Sequence, residues 1–290
     1  MRLVSFGPRG SERAGILVDD GRAMVPVARL DPALPDNVRL LIAGGHLPRL
    51  AALSPGGPRL PVSGLRLGPP VTDPGKIICI GLNYRGHATE QNKPWPERPL
   101  LFAKAASALA GPADDIVLPA EDCGPDFEVE LIAVIGRGGR RIAEAQALDH
   151  VAGWMVGNDV SARHWQKADG QWFRAKSCDT FFPCGPALVT ADEVADHRSL
   201  RLTTTISGEV LQDSLASDLI HGVAALIAYI SRDLTLEPGD LISTGTPAGV
   251  GCYRTPQRFL TPGDVVECAI TGLSATSALG VLRNRVSAGT

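Results

Sequence analysis

The stretch Asp126–Gln166, DFEVELIAVIGRGGRRIAEAQALDHVAGWMVGNDVSARHWQ, sets two glutamates two residues apart at the head of an apolar run. Side chains alternate across a strand, so Glu128 and Glu130 share one face about 6.5 Å apart, while Phe127, Val129 and Leu131 face the other way. Like charges at that spacing repel unless a cation or basic groups stand between them. On an open sheet an E-x-E is routine. Ahead of LIAVIG the pair is expected at the mouth of a core, where paired carboxylate oxygens suit Mg²⁺, Mn²⁺ or Ca²⁺.

At 290 residues the chain can form one large domain or a large one with a small one. Thirty-two glycines and 23 prolines against 5% aromatics point to many turns between short strands, hence an α+β, mainly β class. A net charge of −3 without a basic run argues against a nucleic-acid partner. No apolar stretch is long enough to span a bilayer, and MRLVSFGPRG lacks the apolar core of a signal peptide, so a cytoplasmic protein is expected. The six cysteines form no C-x-x-C pair and read as small buried residues.

Residues 1–70 read as a small β-rich unit. Asp20-Gly21 between apolar runs predicts a hairpin, NVRLLIAGGHLPRLAAL holds a helix or two, and a Pro/Gly-rich linker closes the unit. Residues 71–290 carry the chemistry. KIICIG reads as a buried strand and NYRGHATEQ as a helix capped by Asn83, with His87 and Glu90 on one face. Such a pair is common on surfaces; facing a site, the carboxylate fixes the imidazole as a general base. Lys104, alone in LLFAKAASALAG, is expected to be salt-bridged or snorkelling.

Asp159 ends a second strand and could supply a third carboxylate. Arg163 and Gln166, on a helix after it, would then face one anion; an Asp cap with a surface Arg fits locally as well. Lys176 lies in an aromatic, Pro-rich segment and could hold a carboxylate or stabilise an enolate. Ser207-Gly208 predicts a hairpin, and Ser217 or Asp218 a cap for the helix DLIHGVAALIAYISRDL, in which His221 packs. Two P-G-D turns lead into strands, whereas the glycines of TGTPAGVG permit close backbone approach and Thr246 offers a hydroxyl to an anion.

Together KIICIGLNYRGHATEQ, LLFAKAASALAGP, DFEVELIAVIGR, ALDHVAGWMVGNDVSARHWQ, GQWFRAKSCDTFFPCGPALVT and LEPGDLISTGTPAGVG resemble the fumarylacetoacetate hydrolase family, in its smaller members with a short N-terminal domain. The resemblance implies a mixed β-sandwich-like roll with few helices, usually a homodimer. It implies Glu128, Glu130 and Asp159 as ligands of Mg²⁺, Mn²⁺ or Ca²⁺, and His87 with Glu90 as a lid dyad that activates water. Arg163, Gln166, Lys176 and Thr246 match positions that contact the oxo-acid end of the substrate.

The function it implies first is metal-dependent hydrolysis of a C–C bond in a 2,4-dioxo acid, an acylpyruvate or diketo sugar acid, with Lys176 stabilising the departing enolate. The alternative uses the same enolate for oxaloacetate-type decarboxylation or for isomerisation of a 2-hydroxy-2,4-dienedioate. Gly86 and Ala175 stand where many members have an acid and a glycine, and LSATSA reads as an inserted loop.

Overall fold

The computed structural model describes residues 1–53, 58–272 and 278–289, so most of LSATSA falls outside the described residues. Strand Val129–Ile135 lies inside a 12-stranded sheet, between Val151–Asn158 and Leu241–Ser243, antiparallel to both. All seven of its residues are buried. Its run does not alternate with polar residues because both faces are covered. Val129, Leu131, Ala133 and Ile135 feed one apolar cluster, and Ile132 and Val134 the other.

On one side the sheet continues through Ile77–Gly81, parallel to Leu241–Ser243, to Leu100–Ala103. On the other it continues through Phe182–Thr190 to Arg2–Phe6. The strands before residue 70 therefore extend the same sheet, and the Asp20-Gly21 hairpin joins Arg13–Val18 to Ala23–Pro26 within it.

A second, five-stranded sheet runs in the order Glu209–Leu215, Arg201–Ile206, Val265–Thr271, Gly280–Ala288, Ile116–Leu118. Its Leu202, Ile206, Val266, Ile270, Leu282 and Val286 share the cluster fed by Val129 and Leu131, so the two sheets enclose one core. The fold is α+β and mainly β. All six cysteines are free, and Cys79, Cys123, Cys184 and Cys268 are buried.

Turn chemistry follows the sequence. Ser207-Gly208 forms a two-residue hairpin loop with both φ angles positive, at 49° and 93°. In both P-G-D turns the aspartate carboxylate accepts the amide three residues back, Glu237 N–H on Asp240 at 2.7 Å and Thr261 N–H on Asp264 at 2.8 Å.

Two helix starts differ from expectation. Asn83 does not cap the helix Arg85–Glu90; its side chain donates to the carbonyls of Thr244 and His221 and accepts from His221 N–H. The long apolar helix begins only after Gly222, at Val223. Leu219 instead bridges Tyr84, Ile220 N–H donates to Asn83, and the expected caps turn to the first helix: Asp218 accepts Gly86 N–H, and Ser217 C=O accepts Arg85. His221 accordingly lies before the helix, with Nε2 donating to Pro96 C=O.

Candidate active site

Glu128, Glu130 and Asp159 meet where Val129–Ile135 pairs with Val151–Asn158. Asn158 Oδ1 accepts Glu128 N–H, and Glu128 C=O accepts Asp159 N–H at 2.8 Å, which fixes both carboxylates on the same end of the pair. All three are buried, and each offers an oxygen within 4.8 Å of the others.

Basic groups surround them. Lys176 Nζ donates to Glu128 Oε2 at 2.5 Å and Asp159 Oδ2 at 2.7 Å, with Phe102 beneath it. Lys104 Nζ donates to Asp159 Oδ1 at 2.6 Å from full burial. Arg163 spreads over Asp126, Glu128 and Gln166 through Nε, Nη2 and Nη1. Burial alone would raise the Glu128 carboxyl, but Arg163 and Lys176 outweigh it and bring it down to about 2. Glu130 goes the other way: burial and then the Asp159 and Glu128 charges push it well above the usual carboxylate range.

A divalent cation fits this donor set. Both hydrogen bonds described for Glu130, from Ser243 Oγ at 2.5 Å and Gly245 N–H at 3.0 Å, end on Oε2. An ammonium already bridges the other two carboxylates, and hard oxygen donors without a thiolate or imidazole suit Mg²⁺ or Mn²⁺.

The glycines of TGTPAGVG allow the close backbone approach expected of them, and what the backbone approaches is the protein's own carboxylates. Gly245 N–H reaches Glu130, Gly249 N–H Glu90 at 2.8 Å, and Gly251 N–H Asp126 at 2.7 Å. At Gly245, φ is 101° and a Cβ would stand 2.9 Å from that of Asn83, so only glycine fits. Thr246, in the same loop, lines the cavity.

His87 Nδ1 donates to Glu90 Oε1, which leaves Nε2 as the basic nitrogen; Nε2 accepts from Gln91 Nε2 at 2.8 Å. His87 is 5% exposed, with Tyr253 edge-on at 6.1 Å between centroids. One cavity of about 590 Å³ is lined by His87, Glu128, Glu130, Arg163, Gln166, Lys176 and Thr246. All nine candidate residues thus belong to one neighbourhood, with Glu90 and Asp159 reaching it through His87 and Lys176.

The family model described as fumarylacetoacetate (FAA) hydrolase C-terminal matches residues 76–287. The chain belongs to the fumarylacetoacetate hydrolase family. Within it, the oxaloacetate tautomerase fahd2, mitochondrial, of Xenopus laevis is 43% identical over 96% of this chain and 89% of its own. The fumarylacetoacetate hydrolase of Exiguobacterium antarcticum superposes with a TM-score of 0.84 at 34% identity, over the whole of both chains. Maleylpyruvate hydrolase of Sphingobium, solved with manganese (II) and pyruvate, superposes with a TM-score of 0.82 at 32% identity, again over both chains.

Four residues around this site were not among the expected site residues, although the salt bridge expected of Lys104 is present. Asp126 holds Arg163 and the amides of Gly251 and Cys252; Lys104 holds Asp159; Gln91 covers His87; Gln212 donates to Thr246. A lone charge in an apolar run marked Lys104, and spacing of four from His87 marked Gln91. At Gly86 a Cβ would make ordinary contact with Ala248 and the Asp218 carboxylate, so an acid there would face a like charge. Ala175 packs into the main core beside Lys176.

Proposed function

We propose that the protein is a divalent-metal-dependent tautomerase of a 2-oxo dicarboxylate, with oxaloacetate the first substrate to assay. Isomerisation stood second to C–C hydrolysis on sequence grounds. The name of a relative matching 96% of the chain, an oxaloacetate tautomerase, supports moving it to first place. The observation that carries the reading is one imidazole, His87, oriented by Glu90 in a cavity also lined by Glu128 and Glu130 of the carboxylate triad. At the cavity lining stand Lys93 and Lys167, exposed and without a partner among the described residues, which suits a substrate anionic at both ends.

Mg²⁺ or Mn²⁺ held by Glu128, Glu130 and Asp159 would supply Lewis-acid polarisation of the 2-oxo carbonyl. His87 Nε2, exchanging Gln91 for substrate, takes the proton from the carbon beside that carbonyl, and Glu90 offsets the charge gained. Burial would lower the Lys176 ammonium, but Asp159 and Glu128 raise it further, so it stays charged beside the oxygen that becomes negative. The imidazole then returns its proton to that oxygen. One C–H bond breaks and one O–H bond forms, with no co-reactant.

Hydrolysis of an acylpyruvate is the second reading, favoured by the neighbour solved with manganese and pyruvate and by a dyad able to deprotonate water. The cytoplasmic homodimer expected from sequence is carried into the proposal, and light scattering on the eluted protein tests the dimer. To separate the chemistries, ultraviolet absorbance of the oxaloacetate enol and cleavage of an acylpyruvate are followed with Mn²⁺ and with chelator. Enol decay accelerated only with metal supports the tautomerase; acylpyruvate cleavage with unaccelerated enol decay replaces it by the hydrolase.

A further inference from the structure

Gln212 lies on Glu209–Leu215, in the second sheet, and is completely buried. Its Oε1 accepts from Val129 N–H at 3.1 Å and from Thr204 Oγ1 at 2.8 Å. Its Nε2 donates to Pro247 C=O at 2.9 Å and to Thr246 Oγ1 at 2.8 Å. The two backbone partners settle which end of the amide is which, because Val129 N–H can only donate and Pro247 C=O can only accept. All four hydrogen-bonding positions of the amide are then filled.

The last of these bonds has a directional consequence. Thr246 Oγ1 receives a hydrogen from Gln212, so the hydroxyl's own proton is not spent there. No other hydrogen bond of that oxygen is described, and Thr246 lines the cavity. We infer that Gln212 is a positioning residue that turns Thr246 into a hydrogen-bond donor for an acceptor oxygen in the cavity, so that the site selects a carboxylate there. Assignment of that oxygen to a 2-oxo acid rests on the proposed function; the direction of the hydroxyl rests on the four bonds of Gln212. Because the same amide holds Val129, the residue between Glu128 and Glu130, the anion-binding hydroxyl and the metal-side strand share one anchor.

Pyruvate, binding in the presence of Mn²⁺, is the probe, with calorimetric affinity rather than turnover as the readout. Thr246→Val should weaken pyruvate about tenfold and Thr246→Ser should restore it, the size of one hydrogen bond to a charged acceptor. Gln212→Met should weaken pyruvate similarly while Mn²⁺ affinity stays within about threefold, and should add nothing in the Thr246→Val background. Gln212→Glu, which offers Thr246 an acceptor and draws its proton away, should weaken pyruvate at least as much and serves if Gln212→Met does not fold.

Unchanged pyruvate affinity in a Gln212 variant that still binds Mn²⁺ overturns the inference, as does a further loss on adding Gln212→Met to Thr246→Val. Loss of Mn²⁺ binding in both Gln212 variants makes the residue structural and overturns it too. Should the wild type bind pyruvate in this pattern yet leave oxaloacetate unaccelerated, the tautomerase falls and the role of Gln212 stands; a wild type that ignores pyruvate removes the carboxylate.

Discussion

Gln91 donates its side-chain amide to Nε2 of His87 at 2.8 Å, from the residue that ends the helix on which His87 sits. The nitrogen that would take a proton is therefore covered until a ligand replaces the amide. His87→Ala should cut turnover by about 10²- to 10⁴-fold, the usual worth of a positioned general base, and leave Mn²⁺ affinity unchanged. Gln91→Ala should change kcat by less than tenfold. Steady-state kinetics on both variants decide, and a His87→Ala enzyme keeping a third of its rate would remove the base.

Glu130 is the carboxylate whose charge the metal-free protein tolerates least, through burial and the neighbouring Asp159 and Glu128. Glu130→Gln keeps an acceptor for Ser243 and Gly245 and removes that repulsion. Metal-free Tm should hold or rise, while the Tm increase on adding Mn²⁺ disappears. A fall in metal-free Tm with the Mn²⁺ shift intact would contradict the ligand assignment.

Lys104 and Asp159 are a buried pair with no water-facing side. Lys104→Met should cost about 1.5–3 kcal/mol in the metal-free protein, because Asp159 loses one charged hydrogen-bond partner while keeping Lys176, and less with saturating Mn²⁺. Urea unfolding with and without the ion measures both, and equal losses in the two conditions would separate Lys104 from the metal side.

Asp264 supplies a pH prediction. Burial would raise its carboxyl, but Arg258 and the Thr261 amide bring it below the ordinary carboxylate value. A lowered folded value stabilises at pH above the unfolded carboxylate, near about 4, and the contribution is lost as pH falls through the folded value. The stability gap between wild type and Asp264→Asn should be full at pH 7 and shrink below about pH 4. Urea midpoints across that range test it, and a constant gap would refute the linkage.

What the sequence made legible follows from chemistry that is local. Glu128, Glu130 and Asp159 stand at strand ends with alternation to aim them, and the P-G-D turns carry their own closing carboxylate. Arg163 was visible as a cation near an aspartate, but not that Asp126 and Glu128 would take most of its donors. Gln212 left no local mark: it is a neutral amide on the other sheet, and only the packing of the sheets brings it to Thr246. Asn83 and Asp218 are good caps by residue type, yet tertiary partners claimed both side chains and moved a helix start to Val223. The Glu90 carboxylate at Gly249 N–H was equally hidden, since the residues are 159 positions apart.

The ribbon from Gly245 to Gly251 holds Glu130, Glu90 and Asp126 by the amides of Gly245, Gly249 and Gly251. The proposed metal side, the proposed base side and the arginine are thus hung from one rail, and none can be retuned by moving it without disturbing the other two. Divergence toward a new substrate has its freedom elsewhere, at Lys93, Lys167 and Trp172, whose side chains line the cavity without being tied to that rail.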